Sequence, residues 1–234
     1  MPAPHWPAMT AFFCAPPRCG GRPPQRGAAA LEFTLAAAMA LLLALLALEA
    51  ARWQLTRQVA QLALMEAARA GSTGHADPAL MRAAFLRALL PLHAGPGGAA
   101  GARRRQARDL ERGAALMGMP PWRIEILRPL PSDGHARAPD GRPQGGTLKL
   151  RLTYLYRPLL APLRTLLAAL APADDSYGGQ AWRHGLAPIG MELVMEMHSE
   201  PRDEARGRPP PAGMVQGACR RLRCPRTDAP AASQ

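Results

Sequence analysis

The sequence is poor in aromatic residues and in lysine, and it lacks the common motifs of nucleotide-binding and hydrolytic enzymes. Aromatic residues make up 5% of 234 residues, and Lys149 is the only lysine among 29 basic residues. The phosphate-binding patterns G-x-x-x-x-G-K-[ST] and G-x-G-x-x-G do not occur, and neither does G-x-S-x-G. These absences argue against a nucleotide-dependent enzyme and against a serine hydrolase of the nucleophile-elbow type.

No group of side chains has the spacing of a catalytic or metal site. The six histidines are scattered, and none has a second ligand at helical or hairpin spacing. The pair Asp174-Asp175 lies among proline, serine and glycine, where a turn explains it better than acid–base chemistry. Ser72 and Ser176 lack a partner base. The sequence therefore predicts no enzymatic activity, no metal, no cofactor and no small-molecule substrate.

The formal net charge of +12 comes from arginines that are expected to form a solvated surface. Nucleic-acid binding requires basic residues on one face with aromatic residues between them. The clusters at 103–105 and 220–223 have no aromatic neighbours, so they are expected to lie in loops that can meet acidic lipid headgroups or a partner. We therefore expect no nucleic-acid partner, and DNA binding remains an alternative that predicts a steep salt dependence.

The four cysteines form two pairs with equal spacing, Cys14 with Cys19 and Cys219 with Cys224. Zinc ligation fits this spacing only loosely, and no histidine lies nearby. In an oxidising compartment a disulfide between Cys219 and Cys224, closing a small loop, is the favoured interpretation.

One long apolar segment near the N-terminus predicts a transmembrane helix over residues 28–51. The 16 residues Phe33–Leu48 carry no charge. At about 1.5 Å per residue they cover roughly 24 Å, and the flanking alanines extend the helix to the ~30 Å of a bilayer core. Glu32 and Glu49 then lie at the two boundaries, where Glu49 is expected to face water, and Trp53 is placed as an interface anchor.

The helical pattern continues beyond the apolar segment. No glycine or proline occurs from Ala28 to Ala70, and apolar residues then recur at helical spacing, which predicts one helix ending at about Gly71. Asp77 followed by Pro78 predicts the start of a second helix. Residues 52–93 are therefore interpreted as amphipathic helices.

The remaining chain predicts a small sheet domain. Alternating apolar residues predict three strands, Trp122–Leu127, Thr147–Tyr156 and Ile189–His198. The predicted fold is α+β: an antiparallel sheet covered on one face by the amphipathic part of the long helix and by the second helix. The full predicted organisation is a leader (1–27), the transmembrane helix (28–51), amphipathic helices (52–93), a linker with a short helix (94–121), the sheet domain (122–200) and a polar Arg/Pro-rich tail (201–234). The short helix is expected at Arg103–Met117, and within the sheet domain Pro158–Leu170 is expected to form a short helix or an apolar flap.

The string Arg26-Gly27-Ala28-Ala29-Ala30-Leu31-Glu32-Phe33, opening an Ala/Leu-rich helix, resembles the start of TadE-like proteins. These are minor pseudopilins of the tight-adherence (Tad) branch of type IV-like pilus systems. The resemblance covers about residues 25–71, including the helix end Ala67–Gly71, and the closing strand at 195–201 is also similar to that of some relatives.

This resemblance implies that the α+β fold is pilin-like, and it implies processing and assembly rather than catalysis. A prepilin peptidase would cut between Gly27 and Ala28, leaving Glu32 and Phe33 at the family's Glu-Phe position. The new amine would be largely cationic near neutral pH, and the acid would attract the amine of a neighbouring subunit. The implied partners are membrane lipid, prepilin peptidase, other pilins and Tad assembly proteins. The implied location is the inner membrane, in a single pass, with a cytoplasmic N-terminus and a periplasmic C-terminal domain.

Two other classes remain open. One is a secreted periplasmic binding protein whose signal peptide is cut near Ala47–Ala51, although Glu32 and Glu49 both fit that pattern poorly. The other is a signal-anchored binding or regulatory protein without a role in a filament, which would keep its leader. The N-terminal residue of the mature protein separates these classes, since only pilin-type processing leaves Ala28 first.

Overall fold

A helix of 46 residues, α1 (Ala28–Thr73), opens the part of the chain that the structure, a computed structural model, describes. The described residues are 28–129, 146–200 and 209–224. The elements that follow are α2 (Pro78–Ala88), a 3-10 turn (Leu90–His93), α3 (Gly98–Met117), β1 (Trp122–Arg128), β2 (Thr147–Tyr156), α4 (Ala161–Ala169), α5 (Tyr177–Arg183), β3 (Ala187–Glu196) and β4 (Met214–Gln216).

Helix α1 confirms the predicted long helix and runs to Thr73, slightly past the predicted end. Among the described residues it is the one helix long and apolar enough to span a membrane, with a mean hydropathy of 2.3 over its most apolar stretch. The chain divides into two units, Met1–Leu45 and Leu46–Gln234. In the first unit the described residues all belong to α1, and leucines such as Leu43 expose their side chains.

The four strands form one sheet in the order β3-β2-β1-β4. The pairs β1–β2 and β2–β3 are antiparallel, whereas β1 and β4 are parallel. The prediction of a purely antiparallel sheet was therefore wrong, and the sheet is mixed. The cause is β4, which lies inside the segment predicted to be a polar tail. Its three residues, Met214–Gln216, are too few to show an alternating pattern, yet they complete the edge opposite β3.

One face of the sheet is covered by α2 and by the second half of α1, as predicted. The buried core joins these two helices to the inward side chains of the strands. The rings of Phe85 in α2 and Trp122 in β1 pack with their centroids 4.9 Å apart. Gly71 allows α1 to approach this closely, because a Cβ there would lie 2.5 Å from Met81 Sδ and 2.9 Å from Leu148 Cδ2. The core residues are Ala60, Ala63, Leu64, Ala67, Ala68, Met81, Phe85, Leu89, Trp122, Ile124, Ile126, Leu148, Leu150, Leu152 and Met214.

Helix α3 is longer than the short helix predicted at Arg103–Met117, since it begins at Gly98 inside the predicted linker. Contacts with the preceding elements explain this extension. The side-chain amide of Gln106 donates a 2.7 Å hydrogen bond to the Leu86 carbonyl. The guanidinium of Arg105 donates to the carbonyls of His93 and Pro96, each at 2.8 Å. These bonds hold the glycine-rich start of the helix in place, although its intrinsic helix propensity is low.

Helices α4 and α5 connect β2 to β3. The first lies within Pro158–Leu170, the segment predicted to be a short helix or an apolar flap, and none of its residues is buried. The second was not predicted. Ser176 caps it by accepting a hydrogen bond from the Gly179 N–H at 2.8 Å. A second, smaller core of Leu155, Tyr177, Ala181 and Leu186 holds α5 against the sheet.

Candidate functional site

The N-terminal motif lies at the start of α1. Gly27, the predicted processing position, is outside the described residues, as are Cys14 and Cys19. Ala28 is the first residue of the helix, and Glu32 is exposed in its second turn. Phe33 is also exposed, with 73% of its surface accessible. Both side chains of the Glu-Phe pair are thus open to contact with another molecule.

Glu49 corrects the prediction of an interfacial acid that faces water. The residue is buried, with 5% of its surface accessible. Its carboxylate accepts a 2.5 Å hydrogen bond from the Tyr156 hydroxyl. The Leu159 N–H is shared between the two carboxylate oxygens, at 3.1 Å from Oε1 and 3.0 Å from Oε2. The Leu160 N–H makes a longer contact of 3.4 Å with Oε2. Three donors therefore compensate a carboxylate that would otherwise be costly to remove from water.

Chain geometry after β2 brings these donors to Glu49. Tyr156 is the last residue of β2, and Leu160 is the N-cap residue of α4. The free N–H groups at the start of a helix favour a negative charge, and Leu160 has no side-chain hydroxyl that could cap them. Glu49 accepts the Leu159 and Leu160 N–H groups, so its carboxylate lies beside the start of α4. Burial, followed by the hydrogen bond to Glu49, raises the pKa of Tyr156 to about 12.

A cavity of about 580 Å³ adjoins this cluster. Four arginines, Arg52, Arg112, Arg157 and Arg164, share its lining with leucine side chains. Asp109 at its wall lies 3.1 Å from the imidazole Nδ1 of His93. This lining suits an anionic group with an apolar part, and it holds no nucleophile paired with a base. Within the described ranges no group of three or more His, Cys, Asp or Glu residues could hold a metal ion.

The sheet face opposite α1 and α2 carries a row of alternating charges across three strands. Arg151 in β2 lies 3.3 Å from the Glu125 carboxylate in β1 and 2.7 Å from that of Glu192 in β3. Lys149 adds a second contact to Glu192 at 3.1 Å. Hydrogen bonds from Arg151 and Lys149 hold the pKa of Glu192 below its usual value. Burial raises the pKa of Glu125, and the charge of Arg151 opposes that shift.

The C-terminal cysteines close a loop against this face. Cys219 and Cys224 are joined by a disulfide. Arg123 lies beneath the loop and is 3% accessible. Its guanidinium donates hydrogen bonds to the carbonyls of Cys219 at 3.2 Å and of Arg221 and Leu222 at 2.7 Å each. Burial lowers the pKa of Arg123, and the guanidinium lies 4.0 Å from the centroid of the Tyr177 ring. One buried cation thus fixes the backbone of the disulfide loop.

Trp53, the predicted interface anchor, lies on α1 just after Glu49. Its indole is 36% accessible, and the guanidinium of Arg57 lies 5.7 Å from the ring centroid. An exposed indole beside a cation is the arrangement found at membrane–water boundaries, so the anchoring role remains a prediction.

The sequence did not reveal the roles of Glu49 and Arg123. In the sequence each is a polar residue among apolar ones. The hydrogen-bond partner of Glu49 in β2 follows it by 107 residues, and the loop carbonyls bound by Arg123 follow it by 96 or more. No family model, curated protein or solved structure matches this chain. The functional argument therefore depends on the residues and their contacts.

Proposed function

We propose that the chain is a non-enzymatic assembly subunit of a Tad-type pilus, a TadE-like minor pseudopilin anchored by α1 in the inner membrane and processed after Gly27. The observation that carries this proposal is the position of Glu32, an exposed acid at the head of an uninterrupted apolar helix. In a water-soluble protein, a leucine-rich helical segment of this length would be covered by another element or by a partner.

Processing at Gly27 gives Glu32 a partner. Ala28 would then carry a free amine, and Glu32 would lie four residues later, about one helical turn away. An amine and a carboxylate in an apolar assembly stabilise each other only when both are present. The pair would therefore set the register of one subunit against the next.

The disulfide supports a periplasmic location for the C-terminal domain. Cys219 and Cys224 form a bond that persists in oxidising compartments. The N-terminus would consequently lie in the cytoplasm, where a prepilin peptidase of the inner membrane can reach Gly27. Membrane lipid, other pilins and Tad assembly proteins are the proposed partners.

The N-terminal residue of membrane-extracted protein tests the processing step. Mass spectrometry should find Ala28 first. Gly27→Phe should leave the longer, unprocessed chain, whereas Gly21→Phe, a matched change in the leader, should be processed normally. A wild-type protein that never begins at Ala28 would overturn the proposal.

Replacing the acid tests assembly. Glu32→Leu should insert in the membrane at least as well as the wild type, because it removes a charge from the helix. The same variant should lose piliation, whereas Glu66→Leu, on an exposed part of α1 further along, should keep it. Normal piliation of Glu32→Leu would count decisively against a role for this acid.

A periplasmic binding protein is the second candidate, because the cavity beside Glu49 combines arginines with leucines. A mature protein that begins near Ala50 and binds an anionic amphiphile would favour this alternative.

A further inference from the structure

Helix α4 exposes its hydrophobic residues to an unusual degree. None of its nine residues is buried, in contrast to α5, where Tyr177 and Ala181 are. Leu166 is 53% accessible and Leu170, which ends the helix, is 65% accessible. These two leucines lie four residues apart and therefore on one side of the helix. Leu159, just before the helix, is also 53% accessible. The helix thus has an apolar side that the rest of its own unit does not cover.

Glu49 places the start of this helix at the end of the apolar segment of α1. Leu48, 51% accessible, is the last apolar residue before Glu49, and both residues belong to the same unit as α4. The Glu49 carboxylate binds the Leu159 N–H at 3.0 Å and the Leu160 N–H at 3.4 Å. The two residues that lead into α4 are therefore within hydrogen-bond distance of the residue at which a membrane span would leave the lipid.

The charged side chains of the segment 157–173, which contains α4, have one sign. Arg157 is exposed just before the helix, and Arg164 is half-buried within it. No aspartate or glutamate occurs between Arg157 and Asp174. Long basic side chains can keep their charge at the level of lipid phosphates while neighbouring apolar residues enter the bilayer. A short helix with leucines on its exposed side and an exposed arginine just before it has the composition of an interfacial helix.

We propose that α4 lies on the membrane surface, with Leu166 and Leu170 in the boundary between headgroups and acyl chains and with the exposed Arg157 among anionic phosphates. The proposed occupant of this apolar side is an anionic phospholipid bilayer, because Glu49 fixes α4 beside the point where α1 would enter one. This inference rests on the proposed membrane anchor. It gives the C-terminal domain a second contact with the membrane, separate from the span.

Spin labels on the full chain in vesicles of equal parts phosphatidylcholine and phosphatidylglycerol test the inference. Cys14→Ser and Cys19→Ser remove the leader cysteines, and Cys219 and Cys224 remain in their disulfide. Single cysteines are then introduced as Leu166→Cys, Thr165→Cys and Leu43→Cys and labelled. Thr165 is the matched control, because it is also exposed but lies about 100° around the helix from Leu166. Collision rates with oxygen, which partitions into lipid, and with a nickel chelate, which stays in water, report the surroundings of each label.

We expect the ratio of oxygen to nickel collisions to be severalfold higher at Leu166→Cys than at Thr165→Cys, and highest at Leu43→Cys. Equal, water-like ratios at positions 165 and 166 beside a lipid-like ratio at 43 would overturn the inference while leaving the anchor intact. A label at 166 shielded from both reagents would mean that protein, such as a second copy, covers α4, and would also overturn it. A water-like ratio at 43 would overturn the membrane anchor and the inference together. Vesicles of phosphatidylcholine alone should lower the ratio at 166, and an unchanged ratio would refute the role given to Arg157.

Discussion

The hydroxyl of Tyr156 donates a 2.5 Å hydrogen bond to the carboxylate of Glu49, which precedes it by 107 residues. This bond joins α1 to the end of β2, and the two N–H groups that follow join the same carboxylate to α4. A residue that hydropathy assigns to the edge of a membrane span is therefore also the attachment point of the sheet domain. The position of α4 follows from this attachment.

Removal of the Tyr156 hydroxyl should destabilise the fold. We expect Tyr156→Phe to lower the free energy of unfolding by about 1–3 kcal/mol, because the buried Glu49 carboxylate loses a donor. Tyr154→Phe is the matched control, since within the described ranges its hydroxyl makes no hydrogen bond. Denaturant unfolding of the detergent-solubilised chain would measure both. Equal losses in the two variants would mean that the hydroxyl contact contributes nothing specific.

Alkaline pH should weaken the folded state. Burial raises the pKa of Tyr154 and of Tyr156 from 10.0 to about 12. The unfolded chain therefore loses these protons at lower pH than the folded chain. Their contribution to stability is complete below about pH 10 and is lost as the pH rises from about 10 to about 12. Unfolding free energies measured across this range should fall, and should fall less steeply in the Tyr154→Phe/Tyr156→Phe variant. If the unfolding free energy of that variant fell as steeply with pH as that of the wild type, the two tyrosines would not be the cause of the alkaline destabilisation.

Loss of the disulfide should release the C-terminal loop. Closing so short a loop contributes about 2 kcal/mol by the chain-entropy estimate, so the Cys219→Ser/Cys224→Ser variant should unfold at lower denaturant concentration. Arg123 would also lose the fixed carbonyls that compensate its burial. Reductant should destabilise the wild type by a similar amount and leave the double variant unchanged. If reductant also destabilised the double variant, its effect would have to come from a cysteine other than Cys219 and Cys224.

Gly213 should not tolerate a side chain. Its φ of +88° disfavours other residues, and a Cβ would lie 2.5 Å from the Trp122 ring. We expect Gly213→Ala to cost about 1–3 kcal/mol of stability through backbone strain and overpacking. Gly190→Ala is the control, because nothing lies within 4 Å of a Cβ there. Thermal unfolding would measure the midpoint temperature of both variants. An unchanged midpoint for Gly213→Ala would contradict the prediction.

Local patterns in the sequence predicted most of the helices and strands. The regular alternation of Leu148, Leu150 and Leu152 identified β2 with its observed bounds, because the side chains of a strand alternate between faces. The lack of glycine and proline from Ala28 to Ala70 identified α1. Gly71 ended the predicted helix slightly early, since its packing against Met81 and Leu148 outweighs its low helix propensity.

Long-range contacts explain what the sequence could not predict. The three residues of β4 carry no periodic signal, and their strand exists because β1 offers a free edge. Glu49 is buried because donors from the distant end of β2 and from the residues after it reach its carboxylate. Arg123 is likewise buried because the disulfide loop folds over it. The proposed roles of Gly27, Ala28, Glu32 and Phe33 remain predictions from the N-terminal motif.

The parallel pairing of β4 with β1 has a consequence for how the protein is made. Met214–Gln216 follows every other described element in the chain, and β1 precedes it by about ninety residues. When the chain leaves the ribosome or a translocation pore N-terminus first, one edge of β1 therefore stays unpaired until β4 has emerged. Pairing of this kind forms slowly, because distant segments must meet before it can begin. Until that moment the nascent polypeptide offers an open strand to chaperones or to its neighbours.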